Sequence, residues 1–492
     1  MILAALLLTA ALHANPDALL DRNKTLRSTP EMRLLREFDR QTRDSTATML
    51  HVFPRPCFSD LDSSEICDEH GGIGWVDSAR GGEIHFHPVL GVEHRLVQDE
   101  SVLAGDGGLQ VEGGIGPASF YLDARIFSED QSGSLPSYDG EYVESQQKGN
   151  SSHFTYASYS RYRTRLSIET PFGRFSAGRD NQNWGPSPFH SLVLNQASVP
   201  YNHLDWTINL GPFTVRSLVA DLAITGPGQS AADNDTRTLY AHRYEWRALK
   251  NLTVGISDAL ILFNKNAPTS FIPLVPLFMQ KGLWYENINN GELAFDADWK
   301  PLHNWRTYGE FFLDDFTSPT TLFDSQWKSK WAATVGTQVS LPKIGEFLPG
   351  VIAEWSRVEP WVYTHYVANT SQALNQGLPL GNPLGPNSQA LTLVIYATRD
   401  SWSLGLRGDL IWKGKDTGSQ GTDTLHDNPE VRKSFLRGAQ TPAFGLGPDV
   451  SWAHGWVSVS VGCQVQVNGS VWNRIPVQER EPVWRGRMEV RY

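Results

Sequence analysis

Residues 178–222 read GRDNQNWGPSPFHSLVLNQASVPYNHLDWTINLGPFTVRSLVADL. From Leu204 to Leu210 the alternation is strict: Leu204, Trp206, Ile208 and Leu210 are apolar, and Asp205, Thr207 and Asn209 between them are polar. Successive side chains of a strand point to opposite faces, so this run has one greasy face and one wet face. Gly211-Pro212 ends the strand where its N–H ladder would continue, and Phe213 and Val215 open a second alternating run at once. The unit is two strands joined by a minimal turn and entered through a long loop rich in Trp, Pro, His and Asn. Repeated along an exported chain, it predicts a membrane β-barrel.

The unit does repeat. From about Glu83 the hydrophobic period is two, and about eighteen strands are expected, among them 203–210, 212–222, 347–366, 389–398 and 456–467. Connections alternate between tight turns, such as Gly116-Pro117, Pro171, Gly211-Pro212 and Asp400, and long polar loops. Outer-membrane barrels have short periplasmic turns and long outside loops, whereas a soluble sandwich has no reason to keep that asymmetry. Two runs are diagnostic. Val457, Val459, Val461, Cys463, Val465 and Val467 alternate with Ser458, Ser460, Gly462, Gln464 and Gln466. In the last strand Trp484, Met488 and Val490 alternate with Arg485, Arg487, Glu489 and Arg491. Ten or so residues of this pattern span a bilayer when tilted, with Cys463 toward lipid. The strand closes on Tyr492, similar to the terminal signature read by the bacterial barrel-insertion machinery.

Charges mark the inner face. Arg161, Arg163 and Arg165 oppose Tyr162, Leu166 and Ile168; Arg243, Glu245 and Arg247 oppose Tyr240, Tyr244 and Trp246; Asp296 and Asp298 oppose Phe295, Ala297 and Trp299. An Arg or Lys facing the middle of the hydrocarbon costs about 2–4 kcal/mol, so these rows must line an interior. There they would either filter anionic sugars or phosphates, or pair with acids across the lumen and keep it structured.

Composition bounds the rest. In 492 residues only 40% are hydrophobic, and no apolar run long enough for a membrane helix follows the N-terminus. Seventeen Trp, 15 Tyr and 22 Phe suit aromatic girdles at two interfaces. Residues 1–14, MILAALLLTAALHA, read as a signal peptide without a basic n-region; the alternative is a buried N-terminal helix. Residues 15–80 form an expected periplasmic helical and loop segment, since Ser28, Pro30 and Glu31 can cap a helix carrying Met32, Leu35 and Phe38. The barrel is expected over 81–492. Export permits a Cys57–Cys67 disulfide, with Cys463 left alone. A net charge of −11 excludes a general attraction for nucleic acid.

Catalytic motifs are not evident: there is no nucleophile elbow, no HExxH and no P-loop. His85 and His87 share a strand face without a third ligand fixed by spacing, and Asp233-Asn234-Asp235 lacks the glycine and distal glutamate of a calcium loop. Asp314-Asp315 is the best carboxylate pair for glycoside hydrolysis, but neighbours on a strand face opposite ways. An enzyme is therefore not expected, and no cofactor is implied. Loop aromatics say more. Trp184, Phe189, Trp361, Tyr363, His365 and Tyr366 lie at the mouths of long loops, where sugar rings dock on aromatic planes and amides or carboxylates take the hydroxyls. Arg179, Asp180, Asn183, Trp184, Asp314, Asp315, Trp361, Tyr363 and His365 are the candidate polysaccharide-binding residues; an interface girdle is the other reading of the aromatics.

The order of motifs resembles one family, the Wzi-type capsule-assembly outer-membrane barrels. It is carried by Trp184-Gly185-Pro186 with Ser191-Leu192-Val193-Leu194-Asn195, by Tyr240-Ala241-His242-Arg243, and by Tyr308-Gly309-Glu310 with Asp314-Asp315-Phe316. Pro360-Trp361-Val362-Tyr363-Thr364-His365 and the run from Pro379 to Pro386 complete it, over roughly residues 80–492. Ser187 stands where the family has a glycine. The resemblance implies an eighteen-strand barrel with a helical piece on the periplasmic side, and a lectin-like role in anchoring capsular polysaccharide without catalysis. The expected fold is thus all-β, a single antiparallel transmembrane barrel in the outer membrane of a Gram-negative-type bacterium. Its expected partners are surface polysaccharide, outer-membrane lipid and the insertion machinery. The alternative function is a diffusion channel for small anionic or sugar solutes.

Overall fold

The computed structural model describes residues 73–77, 82–97, 100–130, 145–150, 155–224, 235–284, 289–315, 319–365, 370–399, 402–424, 431–438, 442–454, 457–467 and 482–491. The expected signal peptide, the helix near 28–38, the Cys57–Cys67 pair, Asp233-Asn234 and Tyr366 lie outside these residues.

Eighteen antiparallel strands form the wall. The first six are β1 (Gly82–Val97), β2 (Glu100–Ile115), β3 (Ala118–Asp130), β4 (Thr155–Thr170), β5 (Gly173–Asp180) and β6 (Tyr201–Leu210). The next six are β7 (Phe213–Leu222), β8 (Arg237–Leu249), β9 (Leu252–Phe263), β10 (Asn290–Leu302), β11 (Trp305–Asp315) and β12 (Lys330–Ser340). The last six are β13 (Leu348–Val358), β14 (Ser388–Arg399), β15 (Trp402–Lys413), β16 (Ala443–His454), β17 (Val457–Val467) and β18 (Pro482–Arg491). Each pairs with its neighbour in sequence, and β18 pairs back onto β1 with Val97 opposite Val483 and Val89 opposite Arg491. That last ladder closes the cylinder and removes its open edges. Two short strands add to the wall: Ile73–Asp77 pairs with the start of β1, and Ser145–Asn150 with the start of β4.

The greasy face points out. Leu90, Ile126, Val335, Leu393 and Val461 are exposed, and Leu90 shows 66% of its surface. Exposure of large aliphatic side chains on a closed cylinder is what a hydrocarbon solvent requires. Phe172, Phe213, Trp246, Trp299, Trp305 and Trp402 stand outward near the short turns, as an interfacial aromatic girdle. Cys463 shares the outward register of Val459 and Val461, yet only 9% of it is exposed, so the thiol is covered rather than presented to lipid.

The wet face points in, and its charges are paired. Arg243 grips Asp296 through both terminal nitrogens (2.7 and 3.0 Å) and Glu245 through Nε (2.6 Å). Arg306 holds Asp298. Around the closing seam Arg125 meets Asp123 at 2.8 Å and Glu489 at 2.9 Å, while Arg487 meets Asp106 at 2.7 Å. Removing one partner from such a pair would strand a buried charge, which costs far more than the pair contributes. Of the two readings of the arginine rows, these contacts match the paired one.

One expected element is corrected. The strand foreseen over 347–366 ends at Val358, because Pro360 removes a ladder donor and Trp361 and Tyr363 take positive φ (+73° and +67°). Beyond Val358 the chain turns into the lumen. Replacement of Leu393 by arginine in mid-belt should lower stability in phospholipid vesicles by about 2–4 kcal/mol. Equilibrium denaturant unfolding of the reconstituted barrel reads this, and a negligible loss would place Leu393 away from hydrocarbon.

Candidate functional site

Two long loops, 181–200 and the described parts 359–365 and 370–387 of a second, fold inward from the upper ends of β5 and β13. Their apolar side chains form a core inside the barrel: Trp184, Leu192, Leu194, Val362, Tyr363, Leu374 and Leu380 pack against Ala241, Ala294, Phe312 and Ala332 of the wall. The sequence permits this because inward positions at this level are small or apolar, while charged inward positions lie around them.

The charged wall groups hold the loops by their backbones. Glu310 on β11 accepts from Ser187 N–H (2.9 Å) and Leu192 N–H (2.8 Å). Glu354 on β13 accepts from His190 N–H (3.0 Å), Ser187 Oγ (2.8 Å) and Tyr308 Oη (2.7 Å), and lies 2.7 Å from His190 Nδ1. Asp314 accepts from Tyr363 N–H at 2.7 Å. Wall cations take the carbonyls. Arg306 donates to Pro186 O (2.8 Å), Arg237 to Thr370 O (2.6 Å) and Leu374 O (3.1 Å), and Lys330 to Thr364 O (3.1 Å). Charge-assisted bonds of this kind are roughly twice as strong as neutral ones. They also satisfy backbone groups that irregular chain would otherwise bury unpaired.

The loops clasp each other as well. Asn195 N–H donates to Leu380 O (2.7 Å), and Tyr363 Oη donates to Leu192 O (2.8 Å) while accepting from Asn382 N–H (3.0 Å). Gly185 has φ +125°, and a Cβ there would lie 2.4 Å from Glu310 Oε1. Only glycine allows the backbone to come so close to that carboxylate. Gly381 is similar, since an added Cβ would lie 2.1 Å from Leu192 O.

This geometry locates each residue singled out from sequence. Trp184 is 1% exposed, and its ring lies under the Arg216 guanidinium at 5.3 Å. Asn183 donates to Gly185 O, Trp361 N–H donates to Gly418 O, and His365 Nδ1 lies 3.1 Å from Thr370 Oγ1. Asp180 is buried and accepts from the Asn181 N–H at 2.9 Å. Trp184, Asn183, Trp361, Tyr363 and His365 therefore lie inside the lumen as parts of the plug, with Asp180 and Asp314 on the wall strands beside it, and covered rings offer no free face to a sugar. Arg179 and Asp315 point outward instead. Arg179 lies over Tyr162 at 5.1 Å, and Asp315 is opposite Lys330 in register.

A group missed from sequence stands at the outer rim. Phe323 is 70% exposed, 5.4 Å from the Trp331 ring and 6.3 Å from that of Phe311. Arg357 lies over Trp331 (5.2 Å) and Phe435 (3.7 Å), and Lys433 pairs with Glu359 at 2.8 Å. Burial pulls the Lys433 ammonium below the usual lysine range, with Glu359 opposing. Phe311 and Trp331 sit on the outward face of the strands flanking Phe323, which is the signal that could have found them.

Closed cylinder, outward belt and inward charge define an integral outer-membrane β-barrel whose lumen is occupied by its own loops. No protein-family pattern matches the chain, and no curated protein matches it in sequence. Solved structures do resemble it. The Escherichia coli outer-membrane protein Wzi, described as involved in group 1 capsule assembly and as a carbohydrate-binding β-barrel, superposes with TM-score 0.52 at 14% identity, over 82% of this chain and 84% of that one. Pseudomonas aeruginosa OccD3 gives TM-score 0.46 at 11% identity, covering 86% of this chain and 93% of that one. Acinetobacter baumannii OccAB2 gives 0.46 at 8%, covering 83% and 98%. What is shared with Wzi is the fold.

Replacing Glu310 and Glu354 together by alanine leaves the buried Ser187, His190 and Leu192 donors of the first loop without their carboxylate acceptors, at about 1–3 kcal/mol per group left unpaired. The double variant should conduct markedly more than the parent in planar bilayers and lose protection from protease within 184–194. Gly381→Ala should act in the same direction. Unchanged conductance in all of them would show that wall carboxylates do not hold the plug.

Proposed function

We propose that this barrel binds or anchors surface polysaccharide at its outer face and acts without catalysis. The observation that carries the reading is the filled lumen. A cylinder whose inner charges are bonded to its own loops is built as a rigid support, which leaves the outer surface as the working face. Wzi, a carbohydrate-binding barrel that shares the fold, supports the same choice.

The rim aromatics supply the contact. Phe323 presents an open ring beside Trp331, and sugar C–H faces stack on such planes. Arg357 and Lys433 lie next to the rings and add cationic character, favouring a glycan with acidic groups. The plug residues Trp184, Asn183 and Tyr363, with Asp314 of the wall that holds them, then act as positioning residues beneath that surface, and Arg179 at the outward face.

Purified protein should retain acidic capsular-type polysaccharides on a glycan array. Phe323→Ala should weaken retention by about 0.5–1.5 kcal/mol, roughly three- to tenfold in Kd, with folding unchanged. Deletion of the gene should shift polysaccharide from cells to medium. An unchanged array profile together with large planar-bilayer conductance would favour the channel instead.

A further inference from the structure

On β7, β8 and β9 the outward face departs from the rule that it should be apolar. Counting from the inward residues Leu239, Ala241 and Arg243, the residues between them on β8 point outward, so His242 faces the lipid side. In register with it lie Asp258 on β9 and Ser217 on β7. A histidine, an aspartate and a serine side by side would be costly against hydrocarbon.

None of them meets lipid, because the segment after β9 folds back down the outside of the wall. Ser270 O lies 2.9 Å from His242 Nε2, and Phe271 O accepts from Ser217 Oγ. Leu277 N–H, at the start of helix α1 (Leu277–Trp284), donates to Asp258 Oδ2 at 2.5 Å. Ala267 and Leu277 pack on Tyr240, Leu260 and Leu262 of the wall. Wall polar groups thus hold the flap by its backbone, as the inner acids hold the plug. The flap's other side is apolar and open: Ile272, Leu274, Val275, Phe278 and Met279 are all exposed, Leu274 by 83%. Residues 266–280 contain no charged side chain.

We infer that residues 267–280 form an external flap seated in the outer leaflet, with Leu274, Val275, Phe278 and Met279 packed among lipid acyl chains. The occupant follows from continuity with the lipid-facing belt. Asp258, which holds the flap's helix, is two residues from Ile256, and Ile256 and its cross-strand partner Phe295 are both exposed in that belt. The flap extends the belt upward over polar wall that could not itself touch lipid. This inference stands on the barrel fold and is independent of the proposed glycan role.

The test uses the full-length chain with Cys57, Cys67 and Cys463 replaced by alanine, Leu274→Cys carrying an environment-sensitive fluorophore, and reconstitution into phosphatidylcholine vesicles. Leu393→Cys in the belt and Lys415→Cys in an outer loop are the references. Nitroxide lipids labelled on the acyl chain should quench the Leu274 probe as strongly as the Leu393 probe, and several-fold more than aqueous iodide does. Met279→Cys gives the same readout should the first variant not insert. Iodide quenching at the Lys415 level would overturn the inference. So would disulfide-linked pairs of barrels formed by the unlabelled Leu274→Cys variant, with nitroxide lipid failing to quench the labelled one, since a second copy would then cover the flap.

Discussion

A closed cylinder in a bilayer has no freedom about where its polar groups go. Oil on the outside drives the charges of the wall inward wherever no other chain covers them, and an inner face so loaded must be neutralised by something. Here part of the neutralisation is arginine against carboxylate, as in Arg243 with Asp296 and Glu245. The rest is supplied by backbone. Glu310, Glu354 and Asp314 accept N–H groups from two inward loops, and Arg237, Arg306 and Lys330 donate to their carbonyls. Wall charge and loop conformation each satisfy what the other would leave unpaired.

That reciprocity explains the composition of the loops. A buried irregular segment is normally penalised for its unpaired backbone groups. Inside this lumen it meets fixed acceptors and donors at matching heights, and its apolar residues gather into a core around Trp184 and Tyr363. Glycine appears where the approach is tightest, at Gly185 against Glu310 and at Gly381 against Leu192. On the outside, His242 and Asp258 do for the external flap what the inner acids do for the plug. One device thus sets both surfaces of the wall.

The barrel was legible in the sequence because period-two alternation is a local property: each strand carries its own record of which face meets oil. Register and strand number follow from that record and from the short turns. The plug was not legible. Trp184, Trp361 and Tyr363 look like exposed mouth aromatics when read along the chain, since nothing near them specifies whether a loop stands up or folds in. What decides it is a set of partners far away in sequence, Glu310 and Glu354 for the first loop and Asp314 for the second. Pro360 ends β13, but the aromatic and β-branched residues that follow it, from Trp361 to Tyr366, have the composition of a strand and mask that stop in the sequence. The Phe323 platform lay hidden for the same reason, being assembled from three separate segments.

Amide hydrogen exchange of the intact barrel in lipid is the most direct measurement of this arrangement. Ser187, Leu192 and Tyr363 amides, each donating to a wall carboxylate, should exchange as slowly as the amides of the barrel strands, the first two responding to Glu310 substitution and the third to Asp314 substitution. Exchange at the rate of free surface loops would mean that the carboxylates do not bind the loops, and the account of the filled lumen would be contradicted.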